Sequence, residues 1–178
     1  MKTNDVCSAD GRYRFRLEIQ LSEKLGICLF LMLNPGTEKG YEERYHPTRQ
    51  RCIEFAHRWG YGTLWTCNLF ARRAIKPKTL RFEANPEGNP DNDHHIRKAA
   101  AEADIIVCAW GTSGWKVGRG AFRDRLSGIA TTLKAEVDKG KVYALGEPSK
   151  GGQPRHPLFL PRDAECRRLR IGSNGWLS

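Results

Sequence analysis

Four short stretches of this 178-residue chain hold side chains able to do chemistry. Asn34-Pro35-Gly36 closes one apolar run, and Asn68 interrupts a second one two residues before Phe70. A third run opens into the glycine-rich GTSGWKVGRG at 111–120, and Arg155-His156-Pro157 follows a fourth. An amide offers a donor and an acceptor side by side, an imidazole changes charge near neutral pH, and a guanidinium meets anions. Singly, each stretch has an ordinary structural use. Asn34 can serve a turn, Asn68 can satisfy a buried backbone group, the glycines can shape a loop, and His156 can be a surface imidazole. Their shared position beyond the ends of apolar runs sets them apart.

The elements that must position them follow from patterning. Gly26 to Gly40 reads GICLFLMLNPGTEKG, almost without polarity until Asn34. That is the pattern of a central strand covered on both faces, and ligands of open α/β sheets collect beyond the carboxyl ends of such strands. Tyr13 to Gln20 alternates apolar and polar residues as an edge strand does, and LSEKLG turns the chain, predicting an antiparallel hairpin with the 26–40 stretch. A helix is predicted from about Pro47 to Trp59, with Pro in its first turn and Gly60 past its end. Leu64 to Phe70 is the second apolar strand, followed by a basic loop, and an alanine-rich helix capped by Asp91 or Asp93 ends near Ala103. Asp104 to Trp110 gives a third strand, Ala121 to Val137 a helix, and Lys141 to Gly146 a fourth strand. The expected architecture is a single α/β domain over 1–178, a three-layer α/β/α sandwich. Its centre is a four-stranded mostly parallel sheet, with an N-terminal antiparallel hairpin strand beside it.

The balance of 30 Lys plus Arg against 20 Asp plus Glu, a net charge of +10, favours a polyanionic partner, nucleic acid first. Cysteines at 7, 28, 52, 67, 108 and 166 contain no C-x-x-C pair, so they are expected to be small buried hydrophobes in a reducing compartment. No zinc site, iron–sulfur cluster or other cofactor is expected, because neither ligand spacing, a dinucleotide fingerprint nor a P-loop is present. There is no apolar signal core and no run of the ~20 residues a membrane span needs, which points to a cytoplasmic protein with no membrane partner.

Taken in order, LNPG at 33–36, NLF at 68–70, VCAWG at 107–111 and HPLFL at 156–160 resemble the motifs of the uracil-DNA glycosylase superfamily. LNPG is in the style of the mismatch-specific uracil and thymine glycosylases, and the resemblance runs from about Gly26 to Pro161. It implies a monofunctional DNA glycosylase that hydrolyses the N-glycosidic bond of a flipped-out pyrimidine. In that scheme Asn34 holds the attacking water where other members use Asp, His156 donates to the leaving base, and Asp91 is a second candidate for acid or base work. Asn68 reads the pyrimidine edge, with Phe70, Tyr41 or Tyr45 as the stacking aromatic. Gly36 stands where strict uracil enzymes carry a tyrosine that rejects C5 groups. This admits 5-modified pyrimidines, including the glucosylated hydroxymethylcytosine of phage DNA, as well as uracil; excision would serve antiviral defence in the one case and repair in the other. Leu158 or Leu160 is the expected duplex wedge, with DNA phosphates met by Arg72, Arg73, Lys76, Lys116, Arg119 and Arg155. Two rival readings are a nucleic-acid-binding protein without catalysis and a hydrolase of free nucleosides or nucleotides.

Overall fold

The computed structural model describes residues 2–36, 46–173, 175 and 177. Its centre is the first apolar run, strand β3 (Ile27–Met32). Leu29 and Leu31 enter one core, while Cys28, Phe30 and Met32 enter another on the opposite face. A strand with both faces covered has no position for a polar residue, which accounts for the run's composition. β4 (Thr63–Asn68) and β5 (Ile105–Cys108) flank β3 in parallel, and β6 (Val142–Leu145) continues in parallel beyond β5.

Three antiparallel strands extend this centre. β2 (Arg14–Gln20) pairs with β4, β1 (Thr3–Cys7) pairs with β2, and β7 (Cys166–Arg168) pairs with β6. The sheet therefore has seven strands in the order β1-β2-β4-β3-β5-β6-β7, correcting the expected four with one hairpin strand beside them. Three of its pairings are parallel and three antiparallel. The expected hairpin with the 26–40 stretch is also corrected. Both edges of β3 are occupied by β4 and β5, so β2 pairs beyond β4. The unpredicted outer strands TNDVC and CRR are short and polar, as edge strands that resist further pairing commonly are.

Helices cover both faces, in keeping with the α/β class. α1 (Pro47–Arg58) buries Cys52, Phe55 and Ala56 against the core that holds Phe30. α2 (Asp91–Glu102) and α3 (Arg119–Thr132) cover the other face with Ile96, Ala99, Phe122, Leu126 and Ile129. The single helix predicted from Ala121 to Val137 is two: α3 ends before the fully buried Leu133, and α4 (Lys134–Asp138) follows. The cap of α2 is Pro90, without a side-chain bond, so neither Asp91 nor Asp93 caps it. Both carboxylates lie in its first turn, where they complement the positive end of the helix. No described helix is long and apolar enough to cross a membrane.

Candidate functional site

Four parallel strands in one sheet deliver their exits to the same end, and those exits line a cleft of about 460 Å³. That volume lies in the range of small-molecule sites. β3 contributes Asn34 and Gly36, β4 contributes Thr66 and Asn68, and the β5 exit contributes Trp110 to Ser113. The chain after β6 adds Ser149, Arg155, His156 and Phe159. Across from them, β2 and α1 supply Arg14, Thr48, Arg49 and Cys52, with His46 at the cap of α1.

Asn34 is held through one end of its amide. Its Nδ2 donates to the carbonyl of Ala74 at 2.6 Å and to that of Pro35 at 3.2 Å. Both amide protons are thereby used, and Oδ1 remains as the acceptor of this half-buried side chain. An oxygen so fixed can orient a water molecule. As an amide oxygen it is too weak a base to deprotonate one.

His156 is fixed in a complementary sense. It caps the short turn Pro157–Phe159, and its Nδ1 accepts from the backbone N–H of Leu158 at 3.3 Å. A neutral ring whose Nδ1 accepts carries its proton on Nε2. Burial, and secondarily the nearby His46, push its pKa down to about 4, so at neutral pH His156 is an uncharged N–H donor. The β5 exit holds this loop in place. Trp110 Nε1 donates to Gln153 Oε1 at 2.9 Å, and the Gly111 N–H donates to the Pro154 carbonyl at 3.0 Å. Gly111 has φ +69°, and a Cβ there would lie 3.1 Å from the Cβ of His156, so glycine suits both its conformation and the close approach.

Asn68 ends β4 and is 2% exposed, yet its Nδ2 has no hydrogen-bond partner. An unpaired buried donor costs about 1–3 kcal/mol. The backbone around it is firmly held. Asn92 Nδ2 on α2 donates to the carbonyls of Asn68 and Leu69 at 3.0 and 3.3 Å. Arg125 Nε on α3 also donates to the Leu69 carbonyl, and its Nη1 bridges Asp93 at 2.6 Å. Helices on the far face thus fix the amide that a ligand acceptor in the cleft would satisfy.

The described lining of the cleft is basic. Arg14, Arg49 and Arg155 line it, and no Asp or Glu is among its described lining residues. Cys52 also lines it, but burial pushes the thiol well up, so it is no nucleophile at neutral pH. Among the described residues no group of three or more His, Cys, Asp or Glu is placed to hold a metal ion.

Of the residues singled out in the sequence, Asn34, Gly36, Asn68, Arg155 and His156 come together in this cleft. Several others are placed elsewhere. Phe70 is fully buried in the α2–α3 core and offers no face to a base, a correction of its expected stacking role. Leu160 is buried in the α1-side core and is no wedge, whereas Leu158 and Phe159 are exposed, Phe159 by 74%. Arg73 is buried and bridges Asp5 at 2.9 Å, and Arg72 bridges Glu83 at 3.1 Å, so neither matches the expected phosphate contact. Asp91 is exposed at the start of α2 and does not line the cleft. Lys76, Lys116 and Arg119 are exposed. Tyr41 and Tyr45 lie outside the described residues.

Sequence reasoning missed Arg14, Arg49 and His46. His46-Pro47 repeats the pairing of His156-Pro157, an imidazole at a cap before a helix-starting proline, and that repetition was the available signal. No curated protein and no solved structure matches the chain. A family model described as "Protein of unknown function (DUF1643)" matches residues 12–158.

Proposed function

For a chain that belongs to the DUF1643 family, we propose a DNA glycosylase that hydrolyses the N-glycosidic bond of a flipped-out pyrimidine and leaves an abasic site. The observation that carries this reading is the meeting, in one cleft, of an oriented amide oxygen, a neutral imidazole N–H and a buried unpaired amide donor. Asn68 Nδ2 donates to an acceptor on the pyrimidine edge. As the bond between C1′ and the base nitrogen breaks, negative charge moves onto the base and Nε2–H of His156 donates to its carbonyl oxygen. The sugar becomes oxocarbenium-like, and a water held by Asn34 Oδ1 adds to C1′ from the other side. The water loses its proton after attack rather than before it, because Asn34 is no general base. The base leaves as an anion and takes a proton from solvent. Turnover by such positioning is slow.

The surroundings suit DNA. Net charge is +10, and exposed Lys76, Lys116, Arg119 and Arg155 supply phosphate contacts. Phe159 and Leu158, exposed beside His156, replace Leu160 as the apolar group that fills the stack when the base flips out. Ile75, 63% exposed, is a further apolar lining residue. No cofactor takes part.

Gly36 bears on substrate choice. Among the described residues, a Cβ added there would meet only His46 Nε2, at the ordinary contact distance of 3.7 Å, which is consistent with room for a C5 substituent on the base. The substrate is a 5-modified pyrimidine such as the glucosylated hydroxymethylcytosine of phage DNA, which would make the activity antiviral, with uracil and a repair role as the narrower case. DNA carrying uracil, a thymine mismatch or glucosylated hydroxymethylcytosine should therefore yield alkali-labile abasic sites from at least one of the three. Tight, salt-sensitive DNA binding with no release from any of them would select a binding-only protein. Gly36→Tyr should reduce release of the C5-substituted base by roughly tenfold or more relative to uracil, measured by competition on mixed oligonucleotides.

A further inference from the structure

The cleft is wider than the groups that would act on a base require. Its α1 side holds Arg14, His46, Thr48 and Arg49, none of which has a part in bond cleavage as described above. These side chains are close enough to affect one another: Arg49 and Arg14 both disfavour protonation of His46. Arg14 is 9% exposed. Arg14 Nε lies 3.7 Å from Asp5, which also accepts from Arg73 at 2.9 Å. α1 begins at this place with no acidic residue in its first turn and no side-chain cap. Thr48 and Arg49, which line the cleft, carry the first N–H groups of this twelve-residue helix at the positive end of its dipole, Pro47 having none. Asn68, 2% exposed and with an unpaired Nδ2, lines the same cleft.

We propose that Arg14, His46, Thr48 and Arg49 form a phosphate subsite, so that the substrate brings a phosphate group into the cleft together with its base. The inference rests on reading the cleft as the site that receives a pyrimidine nucleotide. The phosphate has two possible sources, the 5′-phosphate of a free nucleotide or the DNA backbone beside a flipped nucleotide. Both present the same anionic oxygens to guanidinium and helix N–H donors.

Calorimetry on the full chain separates the sources without reading base release. In one arm the protein is titrated with 2′-deoxyuridine and 2′-deoxycytidine, each with and without a 5′-phosphate. In the other, a single-stranded oligonucleotide is titrated at several salt concentrations. A preference of at least about tenfold for a monophosphate over its nucleoside, lost in Arg49→Gln, assigns the subsite to a free nucleotide. With no such preference, a slope of log affinity against log salt that is shallower by about 0.7 in Arg49→Gln assigns it to the DNA backbone. Equal binding of nucleoside and monophosphate together with an unchanged slope overturns the proposal. Should Arg49→Gln not fold, His46→Asn is used in its place in both arms with the same criteria. Because neither arm counts abasic sites, a phosphate subsite that persists without base release would count against the glycosylase reading alone.

Discussion

Replacing His156 with alanine is expected to slow base release by about 10²–10³-fold while leaving DNA binding nearly intact. That is the range for removing one donor aimed at charge that appears only in the transition state. Single-turnover release rates beside binding isotherms measure both. The same ring predicts an unusual pH response. With its pKa near 4, His156 stays neutral through the pH range in which a free imidazole titrates, and Nδ1 continues to accept from Leu158. The release rate should therefore be flat from about pH 8 to pH 5. A rate that climbs steadily below pH 6.5 would mean that the imidazolium is the acting form. Stability carries the same signature. The folded pKa is depressed, so the unfolded chain binds the extra proton first. The contribution is complete above about pH 6.5 and is lost as pH falls through the window down to about 4, by up to roughly 1.4 kcal/mol per pH unit. His156→Gln should flatten that part of the profile. His46 and His95, both also shifted down chiefly by burial, add in the same direction.

Phe70→Ala should destabilise the fold by about 3–5 kcal/mol, the cost of removing a fully buried aromatic ring from a close-packed core. Phe70 packs in the cluster that includes Leu69, Ile96 and Phe122. Urea denaturation followed by fluorescence and circular dichroism gives the difference. A loss below about 1 kcal/mol, accompanied by a large loss of base release, would return the ring to a stacking role. The exposed Phe159, with its ring 5.5 Å from that of His156, is the better placed aromatic for contact with DNA.

The two phenylalanines show where sequence pattern stops being informative. Within a strand, residues two apart share a face, which places Phe70 beside Asn68 on paper. β4 ends at Asn68, and beyond it both Leu69 and Phe70 turn into the α2–α3 core. Leu160 fails for a related reason: the turn Pro157–Phe159 leaves Leu158 and Phe159 outside and sends residue 160 back into the core. Asn34 and Asn68 were legible because each breaks the end of an apolar stretch, where a polar residue has few places to go but the sheet's ligand-binding end, whereas His156 was legible only through the His-Pro pair of HPLFL in the loop after the fourth run.

Arg14 and Arg49 were hidden by tertiary pairing. Arg14 begins an alternating strand that reads as an exposed edge, and its burial depends on β2 docking against β4 while β1 covers the outer side. Nothing local to residues 13–20 carries that information. Arg49 belongs to a predicted helix start, and whether that start faces a cleft depends on how α1 packs. The buried link from Asn92 and Arg125 to the Asn68–Leu69 backbone was equally illegible, because it joins residues more than 20 positions apart.

The most direct test of the central claim is the appearance of free base. Wild-type protein in excess over DNA carrying uracil or glucosylated hydroxymethylcytosine should release free base in amounts equal to the alkali-labile sites formed, with no strand cleavage before alkali. Protein that binds the same DNA tightly and releases no base from either substrate would contradict it.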